Sequence, residues 1–135
     1  MEATPQYQIA LLNGDSVTIN ETIVKKCKTI WDMINILQCS DEPIPLPVEN
    51  NLSTEDIINM FSSMNEFCNQ QNGCNQDELY QSYEPIFKQK NLNVKTVLGY
   101  ILITNFLNYH DYLMFLCQFV ATLMNEHENF LELAS

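Results

Sequence analysis

The stretch NVKTVLGYILITNFLNYHDYLMFLCQFVATLMN, Asn93 to Asn125, decides how this chain folds. Val94, Val97, Leu98, Ile101 and Leu102 recur at helical spacing and predict one buried face, with Tyr100, Ile103 and Phe106 adding apolar surface beyond it. A helix that is apolar over so much of its circumference belongs at the centre of a domain. After Asn108 a second helix is predicted, whose only polar points, Gln118, Thr122 and Asn125, fall on one narrow strip. Phe115 and Phe119 flank that strip and are expected to stay exposed on an isolated monomer, which calls for a partner. Residues 126–135, a short C-terminal tail, offer an alternative cover by folding back through Phe130, Leu131 and Leu133.

The segments upstream supply the rest of the architecture. YQIALL (7–12) runs into Asn13-Gly14 and the alternating DSVTIN (15–20), a β-hairpin signal. From Glu21 the apolar positions Ile23, Val24, Cys27, Ile30, Trp31, Ile34 and Leu37 predict one helix or two short ones. EPIPLPVE (42–49) alternates proline with Ile44, Leu46 and Val48, a pattern tolerable only in an edge strand because proline donates no hydrogen bond. Ser53 caps the next helix with Asp56 bonding back, Leu52 stapling onto Ile57, and Ile57, Met60, Phe61, Met64, Phe67 and Cys68 as the buried stripe. Residues 69–90 open with NQQNGCNQDELY and read as a flexible polar loop inside the domain. The three lysines between Lys88 and Lys95 are too sparse to hold a polyanion.

Composition bounds the function. At 135 residues there is room for one domain, and 46% hydrophobic against 17% charged residues predicts a compact fold. Seventeen acids face six lysines and no arginine, and the net charge of -11 repels phosphate backbones, so nucleic acid is not an expected partner. The opening MEATPQYQIA lacks a signal peptide's basic start and apolar run, and no apolar stretch is long enough to cross a bilayer. Five cysteines without a staple framework point to a reducing compartment, cytoplasmic or nuclear. Cys68 and Cys74 are spaced too widely for a paired zinc knuckle, and His110 and His127 stand apart from any acid and nucleophile. With no phosphate loop and no nucleophile beside a base, the chain reads as a protein that is not an enzyme, with no catalytic residue, no metal and no cofactor.

In order and spacing, IALLNGDSVTIN, CKTIWDMI, EPIPLPV, VLGYILITNFLNYHDYL and CQFVATLMN resemble the Skp1 and elongin C family of BTB/POZ-fold proteins over residues 7–125. The resemblance implies an α+β domain over 1–125, a small three-stranded sheet with flanking helices. It also implies an adaptor in a cullin-RING ubiquitin ligase, binding a cullin N-terminal domain on one face and an F-box or similar substrate receptor on the other. Carried over by position, Asn105 and Phe106 match the cullin-contacting pair, with Tyr109, His110, Asp111 and Tyr112 continuing that edge. Phe115, Phe119 and Leu123 would face the receptor. The family's acid after the junction leucine is Asn108 here. Only 11 residues follow Met124, where such adaptors continue with two more helices, which puts conventional F-box capture in question. The alternatives are a viral or parasite decoy that occupies the cullin and blocks or redirects the ligase, and a self-associating BTB homodimer.

Overall fold

A computed structural model describes residues 6–37, 43–47, 52–70 and 75–126. Strands β1 (Gln6–Ala10) and β2 (Ser16–Asn20) form the hairpin, followed by α1 (Glu21–Lys26) and α2 (Lys28–Leu37). Strand β3 (Ile44–Pro45) and helices α3 (Thr54–Gln70), α4 (Gln76–Lys88), α5 (Val94–Leu107) and α6 (His110–Glu126) complete the described elements. The result is mixed α and β, six helices around a sheet of order β2-β1-β3.

The hairpin forms where its turn chemistry requires. Leu11 N–H donates to Asp15 O and Gly14 N–H to Leu11 O, closing a loop in which Gly14 takes φ 92°. That left-handed position is costly for any residue with a Cβ. Val17 and Ile19 point into the core while Ser16 and Thr18 face out, so register is fixed by which face is buried. Strand β3 adds parallel to β1, with Ile9 opposite Ile44, and Leu46 N–H donates to Ala10 O at 2.9 Å. Ile44 and Leu46 are buried and Pro43, Pro45 and Pro47 exposed, the edge-strand arrangement that the proline alternation predicts. Val48 lies outside the described residues.

The segment from Glu21 resolves into two helices broken at Cys27, whose N–H is shared between Ile23 O and Val24 O. The capping box of α3 is formed: Asp56 N–H donates to Ser53 Oγ at 3.1 Å and Ser53 N–H to Asp56 Oδ2 at 3.2 Å. Leu52 lies against α5 at Gly99, where a Cβ would come within 2.8 Å of the leucine side chain. A larger residue at position 99 would make the Leu52 side chain move.

Two expectations are corrected. Most of the described residues of 69–90, expected as a flexible loop, are helical: Gln70 still belongs to α3, and Gln76–Lys88 is helix α4. Asn75 caps it by accepting from Glu78 N–H at 2.8 Å, Asp77 and Glu78 favour its positive end, and Leu79, Tyr83 and Phe87 form a buried stripe four residues apart. Residues 71–74, including Cys74, lie outside the described residues. In α5 the buried face is Val94, Val97, Tyr100, Ile103, Thr104 and Leu107, while Leu98 and Leu102 face outward at 39% and 55% exposure and Ile101 is half-buried. An almost wholly apolar helix carries no polar stripe to orient it, so periodicity chose the wrong face.

The core is dominated by aromatic rings. Phe67 of α3 meets Tyr83, Tyr109, Tyr112 and Phe115 at centroid distances of 5.4 to 6.1 Å, mostly edge to face. Through the middle runs a hydrogen-bonded chain in which Tyr112 Oη donates to Ser63 Oγ at 2.8 Å. Ser63 Oγ and Tyr83 Oη are 2.7 Å apart, and Tyr83 Oη donates to Glu66 Oε1 at 2.8 Å. Lys90 Nζ closes the chain at the surface, 2.8 Å from Glu66 Oε1. Each hydroxyl can donate outward along this direction, so three buried oxygens are satisfied by one polar exit.

Candidate functional site

The predicted contact residues sit where α5 turns into α6. Asn108 ends α5 in the left-handed region, φ 63° and ψ 45°, and its N–H donates to Thr104 O at 2.9 Å. Asparagine tolerates this conformation better than most residues with a side chain, so position 108 carries a backbone demand. Tyr109 follows and its carbonyl accepts from Leu113 N–H at 3.0 Å, making the corner two residues long. At the end of α5, where carbonyls lose their helical donors, Thr29 Oγ1 of α2 donates to Phe106 O at 2.7 Å. That bond ties the corner to the N-terminal turn of α2, one of the helices packed on α5.

Burial divides the nine predicted contact residues. Asn105 and His110 are exposed, and Phe106, Asp111 and Leu123 half-buried. Tyr109, Tyr112, Phe115 and Phe119 are not surface residues: they are 2%, 0%, 0% and 7% exposed. Burial pushes the Tyr109 hydroxyl above its usual range, aided by Cys68, Cys27 and Asp111 nearby, and burial likewise raises that of Tyr112 against the opposing bond to Ser63. The expectation that Phe115 and Phe119 are left uncovered fails because α4, taken as a loop, supplies Phe87, whose ring lies 5.3 Å from Phe115 and 4.9 Å from Phe119.

The surface that does remain is an apolar strip with a polar end. Leu98, Leu102 and Asn105 follow one another at spacings of four and three on one line of α5. Phe106 lies beside them with its carbonyl held by Thr29. Leu98 and Leu102 were the residues sequence reasoning missed, and the small buried Gly99 and Thr104 were the signal that could have turned the helix the right way. Nothing in this arrangement activates a nucleophile. Among the described residues no group of three His, Cys, Asp or Glu side chains could hold a metal ion, and no helix is long and apolar enough to cross a membrane. Cys27, the most deeply buried thiol described, is pushed up to about 12 by burial and carries no thiolate at neutral pH.

No protein-family model matches the chain, and no curated protein is similar enough in sequence to count as a relative.

Proposed function

We propose that the chain is a Skp1-like adaptor that docks on the N-terminal domain of a cullin through the α5 strip and corner. The observation that carries this reading is the exposed line Leu98, Leu102, Asn105 with Phe106 beside it, held by the Thr29 bond at the point where the sequence resembles that family. Partly apolar, rigid and uncharged at its centre, such a strip has the makeup of an interface core. The element order, a hairpin, two short helices, a proline-alternating parallel edge strand and then long helices, supports the same reading. His110 and Asp111 would form its polar rim.

The receptor face is weaker. With Phe115 and Phe119 buried, the apolar side chains that α6 still offers include half-buried Leu123 and exposed Met114 and Met124. That observation favours, as the second reading, a decoy that occupies a cullin without presenting a receptor.

Titration calorimetry of the chain against a cullin N-terminal domain, with and without an F-box receptor, tests both readings. The adaptor takes up both partners, the decoy binds the cullin alone, and absence of cullin binding defeats both. The double variant Asn105→Lys, Phe106→Ala should lose about 2 kcal/mol or more of cullin affinity with an unchanged circular-dichroism spectrum. Undiminished binding by a folded double variant removes the corner from the interface. A concentration-dependent mass by sedimentation would instead mark a self-associating module.

A further inference from the structure

Strand β2 is an open edge. In the order β2-β1-β3 it pairs, among the described residues, with β1 alone. Ala10 O accepts from Leu46 N–H on the β3 side, so Ala10 and Ser16, opposite each other in register, turn their backbone groups away from one another. Alternation then aims the N–H and C=O of Val17 and Ile19 at β1, and those of Ser16 and Thr18 at the open side. Nothing blunts this edge in the usual way, since SVTIN carries neither charge nor proline.

Helix α3 turns the edge into a cleft. At the turn end of β2, Thr54 Oγ1 accepts from Asn13 Nδ2 and donates to Asp15 Oδ2; at the other end Asn20 Nδ2 donates to Asn65 Oδ1 at 2.9 Å. Asp15 to Asn20 spans about 17 Å of strand and Thr54 to Asn65 about 17 Å of helix, so α3 runs alongside the whole edge. Between them lies a hollow of about 240 Å³, with buried Val17, Ile19 and Phe61 at its base and exposed Thr18, Ile58 and Ser62 at its lips.

That shape selects its occupant. Strand groups without a partner are satisfied by another strand, and the apolar hollow beside them receives its alternate side chains. A second copy is disfavoured, because pairing β2 with β2 would drive the copy's own α3 into the space that the first α3 holds, and each chain carries a net charge of -11. A single extended segment brings nothing behind it to collide. Charge sets its sign: no residue lining the hollow is charged, and exposed Asp15 and Glu55 stand at the turn end.

We infer that the cleft between β2 and α3 takes up an extended segment of a partner protein as an antiparallel fourth strand, β-branched at alternate positions and basic towards its C-terminal end. The cleft shares no residue with the α5 strip, and its use does not depend on the adaptor reading.

Amide hydrogen exchange of the full chain, followed by nuclear magnetic resonance with and without the peptide acetyl-TVTVTKK-amide, tests this docking. In the free chain the N–H of Val17 and Ile19 should exchange slowly and that of Thr18 fast, and the peptide should slow Thr18 by about tenfold or more. Absence of binding at millimolar peptide, or binding that leaves Thr18 unchanged, overturns the inference. So does a Thr18 N–H already slow without peptide, which would mean an edge covered within the chain or, where it depends on protein concentration, by a second copy. The counterpart peptide ending in two glutamates should bind about tenfold more weakly, and equal binding refutes the basic end. Thr18→Pro deletes the outward N–H without touching the bonds to β1 and should abolish binding. Should that variant fail to fold, Ile58→Lys, at an exposed position, crowds the same cleft and repels the peptide's lysines, for an expected loss of about tenfold. Undiminished binding by either folded variant overturns the inference.

Discussion

Ser63 shows how much can hang on one small side chain. Its hydroxyl accepts from Tyr112 and meets Tyr83, two phenols buried among aromatic rings. Ser63→Ala takes that acceptor from Tyr112, while Tyr83 keeps its bond to Glu66, and an unsatisfied buried polar group costs about 1–3 kcal/mol. The expected result is a lower denaturation midpoint for Ser63→Ala and a smaller loss when Tyr112→Phe is added, because the second change removes the stranded hydroxyl. Thiol chemistry separates the described cysteines in the same way. Cys117 is exposed, Cys68 half-buried and Cys27 buried, with burial raising its thiol to about 12. Alkylation followed by peptide mass mapping should modify Cys117 first and Cys27 only when the chain unfolds. Neither role is written in the sequence: a serine in an apolar stripe and a cysteine at helical spacing both look like small core fillers until their neighbours are placed.

At the scale of elements, legibility followed the strength of the local signal. Asn13-Gly14, the Ser53 and Asp56 box and the proline-alternating edge strand each rest on a backbone rule that acts within a few residues, and each was found where expected. Helix α4 was hidden by its surroundings. Amide-rich residues precede it and Pro85, a residue that normally argues against a helix, lies within it, although Asn75, Asp77 and Glu78 mark its start and Leu79, Tyr83 and Phe87 its buried line. Losing α4 also cost the site its correct surface, because Phe87 is what covers Phe115 and Phe119. The corner between α5 and α6 makes a prediction of its own. Asn108→Gly keeps the left-handed turn, whereas Asn108→Val forces a β-branched residue into it at about 1–2 kcal/mol. Urea denaturation should rank the glycine variant near the parent and the valine variant well below, and the valine variant's cullin binding should weaken if the corner is a contact.

For the whole molecule, pH is the broadest lever. Burial alone would raise the Glu66 carboxyl, but the bonds from Lys90 and Tyr83 and the Lys90 charge together hold it below its ordinary 4.5. The folded chain thus binds that proton less readily than the unfolded one. Its contribution is present above pH 4.5 and lost as pH falls through the folded value. At the other end Cys27 keeps its proton up to about 12 while an unfolded thiol releases it from 9.0, so stability drains away as pH rises between the two. Denaturation midpoints measured across pH should therefore form a plateau that falls on both sides, and Glu66→Gln should flatten the acid limb. The acidic surface adds self-repulsion that salt relieves, so added salt should raise the neutral plateau.

The hairpin turn has a chemical consequence of its own. Asparagine followed by glycine is the pair most prone to close into a succinimide, through attack of the glycine nitrogen on the asparagine side chain, and so to age into aspartate and isoaspartate. Here the Gly14 N–H is engaged with Leu11 O at 3.1 Å, and the Asn13 amide is held by Asp15 N–H and by Thr54, each at 2.9 Å. Ring closure must wait until those bonds open. The rate at which stored protein accumulates isoaspartate at position 13 is thus a clock for the opening of the β1–β2 turn, readable by mass spectrometry without any label.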